Sequence, residues 1–121
     1  MATLKNFEDL NAWQKAGELA SYIYDLTRKP KFSRDFGLCN QIREVSGSVM
    51  HNTAEGFEAG YDAEFVRFLK MARRSAGEVQ SELYLALDAG FITTDELKKA
   101  YDIAVEAKKL INGMISYLNK K

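Results

Sequence analysis

The sequence has few of the residues that metal, redox and secreted proteins depend on. Its 121 residues include one cysteine, one histidine and one proline, and 17 basic residues balance 17 acidic ones. A single cysteine cannot form an internal disulfide, and no apolar run approaches the roughly 20 residues that cross a bilayer. The first residues lack the apolar core of a signal peptide. We therefore expect a cytoplasmic protein that does not associate with membranes, and its zero formal charge favours no general attraction to polyanions.

The scarcity of proline leaves long segments free to be helical. Apolar residues recur at intervals of three and four in four segments, which is the period of amphipathic helices. After an arm over residues 1–8, the pattern predicts helices at about 10–28, 34–58, 63–89 and 95–118. The short connections between them favour an antiparallel up-down-up-down arrangement. We therefore predict an all-α protein, a four-helix bundle that forms a single domain over residues 1–121.

Polar N-cap residues and glycines mark the predicted helix ends. Thr93 and Glu96 match the capping box, in which the two side chains bond reciprocally to backbone N–H groups. Gly60 and Gly90 stand where the second and third helices end. The other predicted N-caps are Asp9, Ser33 and Asp62.

Two patterns suggest contacts beyond a plain bundle. The last helix carries a second apolar stripe, which is a candidate subunit interface because an edge helix needs only one stripe. Gly47 and Gly77 lie inside predicted helices, where glycine is unfavourable, so we expect another backbone to approach them closely. The second stripe consists of Ile103, Ala107, Leu110, Met114 and Tyr117.

Metal, thiol and phosphate chemistry are excluded by spacing. A di-iron bundle needs two Glu-x-x-His pairs, whereas the one histidine, His51, follows Ser48 by three positions. Cys39 and His51 are separated by about 18 Å on one predicted helix, too far for a nucleophile and its base. No glycine-rich loop follows a strand, so no phosphate cradle is indicated. We expect a surface His51, a buried Cys39 and no cofactor.

A polar seam runs along the apolar sides of the second and third predicted helices. One interpretation is a small-molecule or enzyme pocket around Asn52, Glu55 and Glu78. The other is that these groups hydrogen-bond to one another and hold the two helices together, which we favour because buried polar groups are usually satisfied. The seam residues are Gln41, Ser48, Asn52, Glu55, Ser75 and Glu78.

Basic residues cluster on the third predicted helix, where Arg67, Lys70 and Arg74 share a face. Phosphate contacts from this cluster would make binding salt-dependent. The alternative is an ordinary solvated face that nearby acidic residues neutralise. The candidate nucleic-acid contacts are Arg43, Arg67, Lys70, Arg73 and Arg74.

Several motifs together resemble a known family. They are Phe7-Glu8-Asp9-Leu10-Asn11-Ala12-Trp13-Gln14-Lys15-Ala16, Asp35-Phe36-Gly37-Leu38, Asn52-Thr53-Ala54-Glu55-Gly56-Phe57 and Ser75-Ala76-Gly77-Glu78. The chain resembles the bacterial four-helix bundle proteins encoded in intervening sequences of large-subunit ribosomal RNA genes. These are similar in fold to the accessory variability protein of diversity-generating retroelements, which binds nucleic acid.

The resemblance implies a homo-oligomer, specifically a barrel-like homopentamer, with RNA or DNA as a possible partner and no established catalytic activity. We therefore expect a non-enzymatic scaffold or nucleic-acid-binding accessory factor. A protein-interaction module for a partner encoded nearby is an alternative. The sequence departs from the family at Glu44 and Ala59, where a basic residue is usual, and at Arg74, where glycine is usual.

Overall fold

The structure is a computed structural model that describes residues 4–121. Residues 1–3 of the predicted arm lie outside the described residues. The described part is helical and contains no strand, which confirms the all-α prediction. Its elements are a 3-10 turn at Phe7–Asp9 and helices α1 (Asn11–Thr27), α2 (Pro30–Ser33), α3 (Phe36–Glu58), α4 (Asp62–Asp88) and α5 (Thr94–Lys120).

The four long helices pack in a closed square. Each contacts two others: α1 packs on α3 and α5, and α4 packs on the same two helices from the opposite corner. Lys29, after α1, pairs with Glu96 in the first turn of α5, and Lys121, after α5, pairs with Asp62 at the start of α4. These contacts join the end of one helix to the start of its neighbour. The antiparallel up-down-up-down four-helix bundle is therefore confirmed.

The core lies along the centre of this square. Leu19, Ile42, Leu83 and Ile111, one from each long helix, are completely buried. Burying a side chain of this size contributes about 1.5–3 kcal/mol, so the four apolar stripes supply most of the attraction between the helices. Phe32, from the short α2, stacks on Phe91 with ring centroids 5.0 Å apart and closes one end of the core.

Three predicted N-caps are wrong. Asp35, not Ser33, caps α3, because its Oδ1 accepts a hydrogen bond from the Leu38 N–H at 3.0 Å. Ser33 belongs to α2, which begins at Pro30, a residue suited to the first position of a helix. The Ser33 hydroxyl donates back to the Pro30 carbonyl at 2.9 Å. The second long helix consequently begins at Phe36 rather than at residue 34.

At the other two ends the N-cap residue makes no side-chain capping bond. Leu10 is the N-cap of α1, and the carboxylate of Asp9 instead accepts from the backbone N–H groups of Lys5 and Asn6, just before the 3-10 turn. Tyr61 is the N-cap of α4, and Asp62 is the first residue of that helix, where its negative charge still favours the helix dipole.

The predicted capping box at the start of α5 and the glycines at the ends of α3 and α4 are confirmed. The Thr93 Oγ1 accepts from the Glu96 N–H at 3.1 Å, and the Glu96 Oε1 accepts from the Thr93 N–H at 2.8 Å, which completes the capping box. Gly60 and Gly90 have φ angles of +89° and +79°. This left-handed backbone is unfavourable for other residues, so glycine is needed at both positions.

The close backbone approach expected at Gly47 and Gly77 is absent. A Cβ built on Gly77 would have no atom within 4 Å, and one on Gly47 would meet only the His51 ring at 3.6 Å. The glycine of α3 that does contact α4 closely is Gly56. A Cβ there would lie 2.9 Å from the Cβ of Phe68 and 3.2 Å from the backbone oxygen of Phe65.

The second apolar stripe of α5 is mostly buried within the chain. Ile103 and Ala107 are 8% and 0% exposed, because α5 contacts both α1 and α4 and so buries a wide arc of its surface. Leu110 and Met114 are half-buried, and only Tyr117 is exposed. The stripe therefore does not form a free apolar face that a second subunit could cover.

Candidate functional site

The middle of the α3–α4 contact is held by three polar side chains. The hydroxyl groups of Ser48 and Ser75 are 2.9 Å apart and share a hydrogen bond. The Asn52 Nδ2 donates to both the carbonyl and the hydroxyl oxygen of Ser48, each at 2.9 Å. Ser75 is buried, and the other two residues are half-buried. For these three residues the geometry favours the structural interpretation of the seam, since each polar group has a partner within it.

A shallow cleft opens beside these hydrogen bonds. Its volume is about 180 Å³, and it extends between α3 and α4. Asn52 and Glu55 do not line it, so the hypothetical pocket around Asn52, Glu55 and Glu78 is not assembled as one cavity. Glu55 and Glu78 are exposed and form no side-chain hydrogen bond or ion pair with residues 4–121. The lining residues are Gln41, Glu44, Val45, Ser48, Ser75 and Glu78.

Glu82 is a half-buried acidic residue that the sequence interpretation missed. Its Oε1 is inaccessible to solvent and has no hydrogen-bond partner within residues 4–121. Burial raises the pKa of the Glu82 carboxyl group above 4.5, and the negative charge of Glu78 raises it further. The signal for this residue was its spacing, because it follows Ser75 by seven positions and Glu78 by four and therefore shares their side of α4.

The outward surface of α4 carries three of the candidate nucleic-acid contacts. Arg67, Lys70 and Arg74 are all exposed. Arg67 forms two hydrogen bonds with Glu64, at 2.6 and 2.9 Å, and these bonds lower the pKa of the Glu64 carboxyl group. Lys70 and Arg74 take part in no ion pair found within residues 4–121. Two positive charges on this surface are thus without an acidic partner in the described chain.

The other two candidate contacts lie elsewhere on the bundle. The Arg73 guanidinium donates to Asn112 of α5 at 2.7 Å. The Arg43 guanidinium donates to Thr27 of α1 at 2.8 Å and lies 4.9 Å from the centre of the Tyr24 ring. The five residues therefore do not form one surface, and Arg43 and Arg73 bridge pairs of helices.

The cysteine and histidine lie where the sequence predicts. Cys39 is 4% exposed, and its Sγ lies 3.1 Å from the Phe32 carbonyl oxygen. Burial raises the pKa of the Cys39 thiol, which disfavours the reactive thiolate. His51 is exposed. Within residues 4–121, no three His, Cys, Asp or Glu side chains gather closely enough to hold a metal ion, and no helix is long and apolar enough to cross a membrane.

Several larger openings on the surface lie away from the seam. One of about 460 Å³ separates the N-terminal arm from α5, between Leu4, Leu10 and Leu110. Another of about 380 Å³ lies at the end of the bundle, near Phe57 and Met114. The second opening is lined partly by polar side chains, among them the ion-paired Asp62 and Lys121.

Four antiparallel helices packed in a square, with α3 and α4 joined by hydrogen bonds, define a helical-bundle protein. Residues 8–113 match the family of 23S rRNA-intervening sequence proteins, and the chain belongs to this family, which confirms the resemblance. The fold is also similar to a crystal structure of a protein with unknown function from the S23 ribosomal protein family of Bacteroides thetaiotaomicron VPI-5482. That similarity has a TM-score of 0.80 at 24% sequence identity and covers 87% of this chain and 95% of the other. No curated protein sequence matches this chain.

Proposed function

We propose that the protein is a non-enzymatic scaffold that assembles with copies of itself in the cytoplasm. The observation that carries this proposal is the exposure of large apolar side chains at one end of the bundle. Phe36, at the start of α3, is 76% exposed, and Tyr84 and Leu85, near the end of α4, are 55% and 56% exposed. Aromatic and aliphatic side chains of this size are characteristic of subunit interfaces.

The non-enzymatic part of the proposal is supported by the chemistry of the seam. Ser48, Ser75 and Asn52 bond to one another, so neither serine is paired with a general base. Burial raises the pKa of the Cys39 thiol, which disfavours the thiolate that a nucleophile would need. The polar groups of the seam therefore stabilise the contact between α3 and α4 rather than activate a nucleophile.

Light scattering at micromolar concentration tests self-assembly. The homopentamer implied by the resemblance predicts a mass of five times the 13.7 kDa of one chain. We expect Leu85→Ser to weaken the assembly. Tyr117→Ser is the control, because Tyr117 is 41% exposed on α5 at the opposite end of the bundle. A native protein that is monomeric throughout would overturn the proposal.

Binding of RNA or DNA is the second candidate function, favoured by the unpaired charges of Lys70 and Arg74 beside Arg67. Three phosphate contacts per chain to a single strand would give a slope of about −2 in a plot of log affinity against log salt concentration. Fluorescence anisotropy with labelled RNA and DNA at two salt concentrations measures this slope. The absence of salt-sensitive binding would eliminate this function and leave the scaffold proposal standing.

A further inference from the structure

Two exposed faces of opposite charge lie on neighbouring helices. The basic face of α4 consists of Arg67, Lys70 and Arg74, with the exposed Glu78 one turn beyond Arg74, so its net charge is positive. The acidic face of α3 consists of Glu55 and Glu58, which are exposed and form no ion pair within residues 4–121. Neither face can pair with its own copy across a two-fold axis, because like charges would meet. Each face is suited to the other face on a second copy of the chain.

The two faces lie at the same height along the bundle. The hydrogen bond between Ser48 and Ser75 marks one level on both helices. With a rise of 1.5 Å per residue, Glu55 lies about 10 Å from that level and Lys70 about 8 Å, both in the direction of the turn that joins α3 to α4. Rotation about an axis parallel to the bundle leaves heights unchanged. In a ring of parallel bundles, the basic face of one copy therefore meets the acidic face of the next at the same level.

A glycine continues each face. Gly77 follows Arg74 by three positions, and Gly47 precedes Glu55 by eight, so each lies on the same side of its helix as the charged residues. Both are within about 3 Å of the level of Ser48 and Ser75. A Cβ at Gly77 would have no atom within 4 Å among the described residues. No contact within the described chain therefore requires glycine at this position, and its small size leaves room for another copy to come close beside the charged residues.

We propose that the basic face of α4 in one copy packs against the acidic face of α3 in the next copy, with Gly77 and Gly47 allowing the two helices to come close. This inference rests on the self-assembly proposed above and identifies its contact surface. A second copy fits better than RNA, because it supplies a charge complementary to both faces, whereas the phosphates of RNA would be repelled by Glu55 and Glu58. The zero formal charge of the chain is consistent with this pairing.

The glycine contact is tested by Gly77→Leu. We expect this variant to remain folded by circular dichroism and to be monomeric by light scattering at concentrations where the native protein is assembled. Gly113→Leu is the matched control, because a side chain at Gly113 of α5 also meets no atom within 4 Å. We expect the control to assemble normally. Normal assembly of Gly77→Leu would overturn the proposal.

The charge pairing is tested by reversal and rescue. Lys70→Glu or Glu55→Lys alone should raise the concentration needed for half-assembly by about tenfold or more, because like charges then face each other at every contact. The chain that carries both changes should assemble at close to the native concentration. Lys109→Glu, at an exposed and unpaired position of α5, changes the net charge in the same way as Lys70→Glu and should have no effect.

The outcomes distinguish this inference from the proposal on which it rests. A monomeric native protein refutes self-assembly itself. An assembled native protein whose Lys70→Glu and Glu55→Lys variants also assemble normally refutes only the contact surface. If Lys70→Glu assembles normally but loses binding to a labelled single-stranded RNA that the native protein binds, the basic face is a nucleic-acid contact and the inference is overturned.

Discussion

Replacing Gly56 with alanine should destabilise the bundle, although alanine is the better helix former. Gly56 of α3 lies in tight contact with α4. An added Cβ would be 2.9 Å from the Cβ of Phe68 and 2.9 Å from the ring Cδ1 of Phe65. It would also be 3.2 Å from the Phe65 carbonyl oxygen. Ordinary contacts of a Cβ begin at 3.4 Å. Because two of these three atoms belong to the backbone or sit directly on it, rotating a side chain cannot relieve the overlap.

The expected magnitude follows from two opposing contributions. Overpacking of this kind costs about 1–3 kcal/mol, and removing a glycine from a helix interior gains about 0.5–1 kcal/mol. The middle values of these two ranges, about 2 and about 0.75 kcal/mol, leave a net loss of about 1.2 kcal/mol in the free energy of unfolding. For a domain of this size, 1 kcal/mol changes the Tm by about 4 °C. We expect Gly56→Ala to lower the Tm by about 5 °C.

Thermal unfolding followed by circular dichroism, at one fixed protein concentration, measures this difference. Gly113→Ala is the control, because it makes the same substitution inside a helix at a position with no atom within 4 Å. It should raise the Tm by about 2–4 °C through helix propensity alone. If Gly56→Ala were as stable as Gly113→Ala, the contact between α3 and α4 at Gly56 would not be close, and our account of helix packing would be refuted.

Three other substitutions test the half-buried Glu82, the capping box at Thr93, and Arg43, which bonds α3 to α1. The pKa of Glu82 is raised by burial and by Glu78, so the folded state binds the proton more tightly than the unfolded state, and stability falls as pH rises from 4.5 through the raised pKa. Glu82→Gln should therefore raise the Tm at pH 7, with an advantage that shrinks toward pH 4. Thr93→Ala removes half of the capping box and should cost about 1 kcal/mol, a drop of about 4 °C in Tm. Arg43→Ala should lower the Tm by a similar amount, because it removes a hydrogen bond between α1 and α3, without changing assembly.

Each of these has a result that would contradict it. An unchanged pH profile in Glu82→Gln would mean that the carboxyl group is solvated. If Thr93→Ala matched the native Tm, the cap would not stabilise α5. A loss of assembly in Arg43→Ala at unchanged Tm would place this arginine at a subunit contact instead of between two helices.

The bundle was predictable from the sequence because its signals are local. The spacing of apolar residues depends only on helical period, and the box of Thr93 and Glu96 depends on four consecutive residues. The cap at Asp35 was missed for a local reason too. Pro30 begins a separate turn of its own, and that turn takes up the Ser33 hydroxyl before α3 begins.

The features that the sequence could not predict depend on which way each residue faces and on how closely two helices approach. Gly77 and Gly56 are both glycines inside helices, but only Gly56 faces the neighbouring helix, and periodicity alone does not show how closely two backbones approach. The second apolar stripe of α5 is mostly buried because this helix packs against two neighbours, α1 and α4. Arg43 and Arg73 were grouped with Lys70 by charge, although the structure turns them toward other helices.

The seam also determines how α3 and α4 can slide along each other. A shift of one helix by a single turn moves it about 5.4 Å, which would separate the Ser48 and Ser75 hydroxyls and bring a residue larger than Gly56 against the Phe65 backbone. The hydrogen bond between Ser48 and Ser75 and the tight contact at Gly56 together therefore select one register between α3 and α4. This register also sets the positions of Lys70 and Glu55 along the bundle axis.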